Sequence, residues 1–177
     1  MRTPLPDGLP ERIRSDSTEA LEALYRVAGP PLFALAYRLT LSRADAEDAL
    51  HDLFAGLPRA LNHYREQGRF EQWLKRLLVR TVLMQRRSDG RRTMREAEYA
   101  TELAQFQGQY EDTASSGEAE RLLGCLPEKI RAVVVLRELE GMSHAEIART
   151  LGISRAASRV RLVRGLERLR RTLRRER

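Results

Sequence analysis

The sequence predicts an all-α protein built as two small helical domains joined by a flexible acidic linker. Three observations predict it. Apolar residues recur at helical spacing along most of the chain. Glycine and proline interrupt that pattern about once per helix length. The charge balance changes abruptly after Arg95: from Glu96 to Glu120 there are seven acidic residues and no basic ones, in a chain whose net charge is +7. A length of 177 residues suits one ordinary domain or two small ones. A small domain has a thin core, so its helices must pack efficiently.

Residues 1–17 contain three prolines and many polar groups and read as a flexible N-terminal tail. Asp16, Ser17 or Thr18 then caps a helix with Leu21, Leu24, Tyr25 and Ala28 on one face. Gly29-Pro30-Pro31 is expected to break it, with proline in the first turn of the next helix, which carries Leu32, Leu35, Ala36 and Leu39. Ser42 is the expected cap of SRADAEDALHDLFAGL, whose stripe is Leu50, Leu53, Phe54 and Leu57. Pro58 is expected to end or kink that helix. HYREQGRF (63–70) reads as a loop pivoting on Gly68, followed by a helix with Phe70, Trp73, Leu74, Leu77, Leu78 and Leu83 as its stripe. The first domain is thus 18–92.

Residues 93–117 form the linker, ending in TASSG, with room for a short helix at 97–106. The second domain, 118–177, opens with Leu122, Leu123, Cys125 and Leu126. PEKIRAVVVLRELEG begins with proline and ends at glycine, the asymmetry of a helix. Ser143 with Glu146 forms a capping-box pattern, and the helix behind it stops at Gly152. Ser154 caps the last helix, where Leu162, Leu166, Leu169 and Leu173 are expected to form one buried stripe.

Ala148, Gly152 and Ile153 have the offsets of a helix-turn-helix, in which a small residue lets two helices cross and a glycine accepts positive φ in the turn. From Ser154 onward there are ten arginines, two glutamates and no lysine. Arginine contacts phosphates and reads guanine bidentately in the major groove, so this module is expected to bind DNA. The competing reading is a basic amphipathic tail that docks on an acidic protein or a membrane. The turn signature before the arginines argues against it.

Other classes are disfavoured. No stretch approaches the roughly 18 apolar residues of a membrane span, and the first residues lack the apolar segment of a secretory leader. The single cysteine, Cys125, reads as a small core residue and cannot form an internal disulfide. A cytoplasmic protein is expected. His51, His63 and His144 show no metal-ligand pairing, and no glycine-rich phosphate loop follows a strand. His51 and His144 read as surface residues of helices. No enzyme, cofactor or metal is expected.

Three stretches then resemble one family. DAEDALHDLF (45–54), FEQWLKRLLVR (70–80) and LPEKIRAVVVLRELEGMSHAEIARTLGIS (126–154) are similar, in that order and spacing, to the bacterial extracytoplasmic-function sigma factors of the minimal two-domain type. The likeness covers about residues 18–175. It implies that the first stretch docks on core RNA polymerase, the second melts and reads the −10 element, and the third belongs to the domain that binds the −35 element. The docking residues are then Asp45, Glu47, Asp48, Asp52, Leu53 and Phe54. The −10 contacts are Arg69, Arg76, Arg80, Arg86 and Arg87, and the −35 contacts are Ser154, Arg155, Arg159, Arg161 and Arg164. Trp73 falls on the apolar stripe and is expected in the core. The resemblance further implies an anti-sigma protein as partner, and a linker that threads toward the RNA exit path of the polymerase.

Two departures stand out. The family usually has asparagine at Arg80 and aspartate at Met84, and arginine cannot make the paired donor and acceptor contacts of asparagine. The recognition helix usually reads Thr-Val-x-Ser-Arg, where this chain has Ala157-Ser158-Arg159-Val160-Arg161. Promoter sequences of relatives therefore do not transfer. The rival readings are a dimeric helix-turn-helix regulator that binds duplex DNA alone, and a sigma-like modulator that does not open promoters.

Overall fold

A computed structural model describes residues 8–15, 18–65, 69–88 and 117–175, with residues 86–88 as backbone only. Every regular element among them is helical: α1 (Leu9–Arg14), α2 (Thr18–Thr40), α3 (Arg43–Leu61), α4 (Phe70–Ser88), α5 (Gly117–Gly124), α6 (Glu128–Val134), a π-helical turn (Val135–Leu139), α7 (His144–Leu151) and α8 (Arg155–Arg175). The expected linker helix at 97–106 lies outside the described residues.

Part of the expected N-terminal tail is structured. Gly8 takes φ 72° and α1 follows with proline in its first turn. Leu9 and Ile13, one helical turn apart, are each 1% exposed. They pack against α2 and α3. Arg14 Nη2 donates to the carbonyl of Leu61 at 3.1 Å. That carbonyl, in the last turn of α3, also accepts from the Tyr64 N–H at 3.0 Å, so side chain and backbone together close the helix end.

The two proline expectations are corrected. Pro30 and Pro31 lie inside a single 23-residue α2. An interior proline removes a helical hydrogen bond and costs about 3 kcal/mol. Here Leu24 and Ala28 before the prolines and Leu32, Leu35 and Ala36 after them are all buried, and that burial holds the helix on one line. Likewise α3 continues through Pro58 to Leu61. The expected cap of α3 is present: Ser42 accepts from the backbone N–H of Asp45. The core of the first half is made by Leu24, Leu35, Leu50, Leu53, Phe54, Leu57, Leu74 and Leu78, with Phe54 edge-on to Tyr25 at 4.9 Å.

In the second half, the helix expected to run to Gly141 widens instead. After Val134 the pattern becomes π-helical, with Glu140 N–H donating to the carbonyl of Val135 at 3.2 Å. Gly141 at φ 67° closes it. The leucine stripe of α8 is shallower than expected. Leu162, Leu166 and Leu169 are half-buried and Leu173 is 41% exposed. The fully covered residues of α8 are Ser158 and Gly165.

The halves touch. Lys75 Nζ of α4 lies 2.7 Å from Glu140 Oε2 at the end of the π turn, and Tyr37 donates to Glu120 Oε2 at 3.1 Å.

Candidate nucleic-acid interface

The helix-turn-helix is assembled from local chemistry. Ser143 Oγ accepts from the N–H of Glu146, and the Glu146 carboxylate accepts from the N–H and hydroxyl of Ser143. These hydrogen bonds from Ser143 hold the Glu146 carboxyl below its ordinary pKa, aided by the nearby charges of Arg76 and Arg149. The carboxylate therefore favours the folded state above the ordinary carboxyl pKa, and that contribution is lost as pH falls through the lowered one. Ser143→Ala is expected to destabilise the second half by about 1 kcal/mol. It should also flatten acid sensitivity, read as a smaller difference in thermal unfolding between neutral pH and a pH well below the ordinary carboxyl range of about 4.

α7 ends at Gly152, which takes φ 66°, and Ile153 N–H returns to the carbonyl of Ala148 at 3.0 Å. Ser154 Oγ then accepts from Ala157 N–H at 3.0 Å and starts α8. The crossing is pinned by His144, whose Nδ1 is 2.9 Å from Ser158 Oγ. Ser158 is 0% exposed. His144 is thus a strut between α7 and α8, not only a surface residue. Its pairing with Ser158 joins positions that no local pattern links.

The expected −35 residues are divided by this geometry. Ser154, Arg155, Arg159 and Arg164 are exposed, whereas Arg161 is half-buried. Arg164 lines a groove together with Cys125, Ile130, Glu167, Arg168, Arg171, Thr172 and Arg175. Cys125 is half-buried rather than in the core.

Arg69, immediately before α4, and Arg76 and Arg80 on it recur at steps of seven and four, a spacing that sets them along one face. Arg69 and Arg80 are exposed. Arg76 is half-buried, with Nη1 4.0 Å from Glu146 Oε1 of α7. Met84 continues the face and is 69% exposed. Arg86 and Arg87 lie in the last turns of α4, and their side chains lie outside the described residues. Trp73 is half-buried among Tyr64 and Phe70, with ring centroids at 5.0 and 5.7 Å. The three rings brace the chain where it enters α4.

The acidic helix α3 also divides. Asp45, Asp48 and Asp52 are exposed and follow one face at steps of three and four. Asp52 accepts from Gln85 Nε2 of α4 at 2.7 Å. Glu47 lies on another side, paired with Arg43 at 2.8 Å. Leu53 and Phe54, expected on the docking surface, are each 1% exposed and packed in the domain's own core. Burial there leaves them no area to offer a partner.

Lys75 and Glu140 were not among the expected site residues, and neither carries a sequence signal, since each sits in a charged stretch. Among the described residues no cluster of three or more His, Cys, Asp and Glu side chains is placed to hold a metal. No helix among them is long and apolar enough to cross a membrane.

Comparison with known proteins follows the same division. Residues 24–92 match the family described as Sigma-70 region 2, and residues 116–169 match Sigma-70, region 4. The chain is 31% identical over 177 residues to the RNA polymerase sigma factor CarQ of Myxococcus xanthus, covering 92% of this chain and 94% of CarQ. It is 33% identical over 154 residues to the ECF RNA polymerase sigma factor SigE of Mycolicibacterium smegmatis, covering 84% of this chain and 60% of that longer protein. In fold it is similar to the sigma factor RpoE of Bartonella quintana, solved in complex with the anti-sigma factor NepR. That match has a TM-score of 0.65 at 21% identity and covers 90% of this chain and all of that one. It is also similar to CnrH, solved with the cytosolic domain of CnrY, with a TM-score of 0.61 at 24% identity over 93% and 94% of the two chains.

Proposed function

The chain belongs to the extracytoplasmic-function RNA polymerase sigma factors, non-enzymatic proteins that direct promoter-specific transcription initiation, and from that membership we propose how its faces divide the work. Asp45, Asp48 and Asp52 dock on a basic surface of core RNA polymerase, with Glu47 at the margin. Arg69, Arg76 and Arg80, extended by Arg86 and Arg87, hold the opened −10 strand through phosphate contacts. Ser154, Arg155, Arg159 and Arg164 engage the −35 duplex, and Arg161 supports them from the flank.

The observation that carries this reading is the separation of charge. An exposed acidic stripe stands on α3 of a basic protein, while Arg69 and Arg80 are exposed at the start of α4 and on it, and exposed arginines run along α8. A protein that met only DNA has no use for the stripe. The protein acts in the cytoplasm, where core polymerase is found, and an anti-sigma protein restrains it, by analogy with the NepR and CnrY complexes.

Run-off transcription on fragmented genomic DNA tests it, using core polymerase with and without the full chain. Discrete new starts sharing two upstream elements are expected. No starts, with the protein alone shifting duplex DNA as a dimer, would instead favour a conventional regulator. Core polymerase binding that yields no starts would favour a modulator, a reading to which exposed Met84 beside Arg80 lends some support. Reversing two charges of the stripe, Asp45→Lys with Asp48→Lys, is expected to slow association with core polymerase. The loss should be largest at low salt, because exposed charges steer encounter and are screened. Stopped-flow association at two ionic strengths reads this.

A further inference from the structure

α8 presents a stripe that neither the fold nor the arginines account for. Val160 is 48% exposed and Val163 54%, and Ala156 is exposed one turn before Val160. At the helical repeat these three lie along the pole opposite Ser158 and Gly165, which face the domain interior. Valine is a poor choice for a solvated helical position. Its branched Cβ restricts χ1 and lowers helix propensity, and here about half of each side chain stays in water. Such positions are better served by Ala, Lys, Glu or Gln.

The flanks of the stripe indicate what covers it. Arg155 and Arg159 run along one side and Arg164 along the other, all exposed. Among the described residues none of the three is in an ion pair. An apolar strip between two cationic edges matches the major groove of a duplex. Phosphates line the edges of that groove, and the only apolar group on its floor is the C5 methyl of thymine. We propose that Val160 and Val163, with Ala156, read thymine methyl groups in the −35 element and so determine specificity alongside Arg159. This rests on the promoter reading given above.

The dimensions agree. Ala156 to Val163 spans about 10 Å along the helix, which matches about three base steps of 3.4 Å. The stripe occupies the N-terminal half of α8, the part of a recognition helix that meets base edges. Rigid χ1 angles hold the valine methyls in place before binding, so little side-chain freedom is lost on contact.

The test begins with run-off transcription by core polymerase and the full chain on promoters randomised across the −35 element. Each thymine of the enriched sequence is then replaced by uracil, which removes the methyl and keeps the pairing. Initiation at limiting protein is compared for the wild type and for Val160→Ala combined with Val163→Ala. Alanine favours the helix, and circular dichroism verifies that the variant is folded. One or more uracil substitutions are expected to lower wild-type initiation by about fourfold each, the effect of one methylene-sized group leaving water. The double variant should lose most of that sensitivity and keep its preference at guanines. A wild type indifferent to every uracil, an enriched element without A·T pairs, or a double variant as sensitive as the wild type overturns the proposal. Absence of any discrete start with the wild type overturns the promoter reading itself, and this proposal with it.

Discussion

Glu140→Lys is expected to part the two halves of the molecule. Lys75 Nζ lies 2.7 Å from Glu140 Oε2 and 3.1 Å from Glu71 Oε1, and the Lys75 and Glu140 side chains are only 10% and 8% exposed. Both charges have largely left water, and that desolvation is offset chiefly by each other, with the half-exposed Glu71 a second and more solvated partner of Lys75. Removing one partner of a buried pair costs about 3–5 kcal/mol, and reversing its sign adds repulsion. Separation of α4 from the π turn lets both ammonium groups rehydrate, so the molecule opens rather than absorb that cost. The remaining polar contacts are weak by comparison. Arg76 and Glu146 stand at 4.0 Å and are 29% and 23% exposed, a pair worth about 1 kcal/mol or less. The Tyr37–Glu120 hydrogen bond contributes a similar amount. Small-angle X-ray scattering should therefore give a larger radius of gyration for Glu140→Lys than for the wild type. An apolar replacement of the pair, Lys75→Met with Glu140→Leu, should stay compact, since a buried pair is often replaced by packed apolar groups without loss. Equal radii for Glu140→Lys and wild type would show that the pair does not hold the halves together. Opening also releases Arg76 from Glu146, so Glu140→Lys should gain affinity for single-stranded −10 DNA.

What is legible in the sequence follows the range of each interaction. The capping box of Ser143 and Glu146, the positive φ at Gly152 and the caps at Ser42 and Ser154 are all present where the residues predict them. Each is satisfied within four residues, so a short window contains the whole cause. Pro30 and Pro31 mislead for the opposite reason. Their penalty is local, but the burial of Leu24 and Ala28 on one side and Leu32 and Leu35 on the other is tertiary. Helical periodicity marks Leu53 and Phe54 as apolar without saying whether their own domain or a partner covers them. Lys75 and Glu140 each look solvated in any window, and only the packing of α4 on the second half joins them. In α1, Leu9 and Ile13 make one short apolar pair among prolines and charges, too little periodicity to announce a helix.

Gly165 is the residue whose importance a sequence window conceals most, and Gly165→Leu is expected to unfold the second half selectively. A mid-helix glycine looks like a weakness, unfavourable by about 1 kcal/mol relative to alanine. In the structure it is where α8 meets α6. A Cβ at this position would stand 2.5 Å from Val134 Cγ2 and 2.9 Å from Ile130 Cγ2. Both neighbours are β-branched, with χ1 restricted in a helix, so neither methyl can swing aside. Relief requires α6 to move, and α6 with the π turn carries Ala132, Val133, Val134, Val135 and Leu136 of the core. Overpacking of this kind costs about 1–3 kcal/mol and sometimes more. Alanine at 165 meets the same two methyls but gains about 1 kcal/mol of helix propensity, so its net loss should be smaller, about 2 kcal/mol or less. Leucine adds three further carbons to the same gap, so a net loss of about 2 kcal/mol or more is expected. In a domain this small that lowers the melting temperature by about 10 °C. Calorimetry should show the second-half transition falling while the first half is unmoved. The functional signature is equally selective. Binding to core polymerase through α3 should persist, whereas initiation that depends on the −35 element should fail, because the α6–α8 crossing sets the direction in which α8 leaves the domain. A Gly165→Leu protein that melts with the wild type would mean that α6 and α8 do not approach this closely in solution.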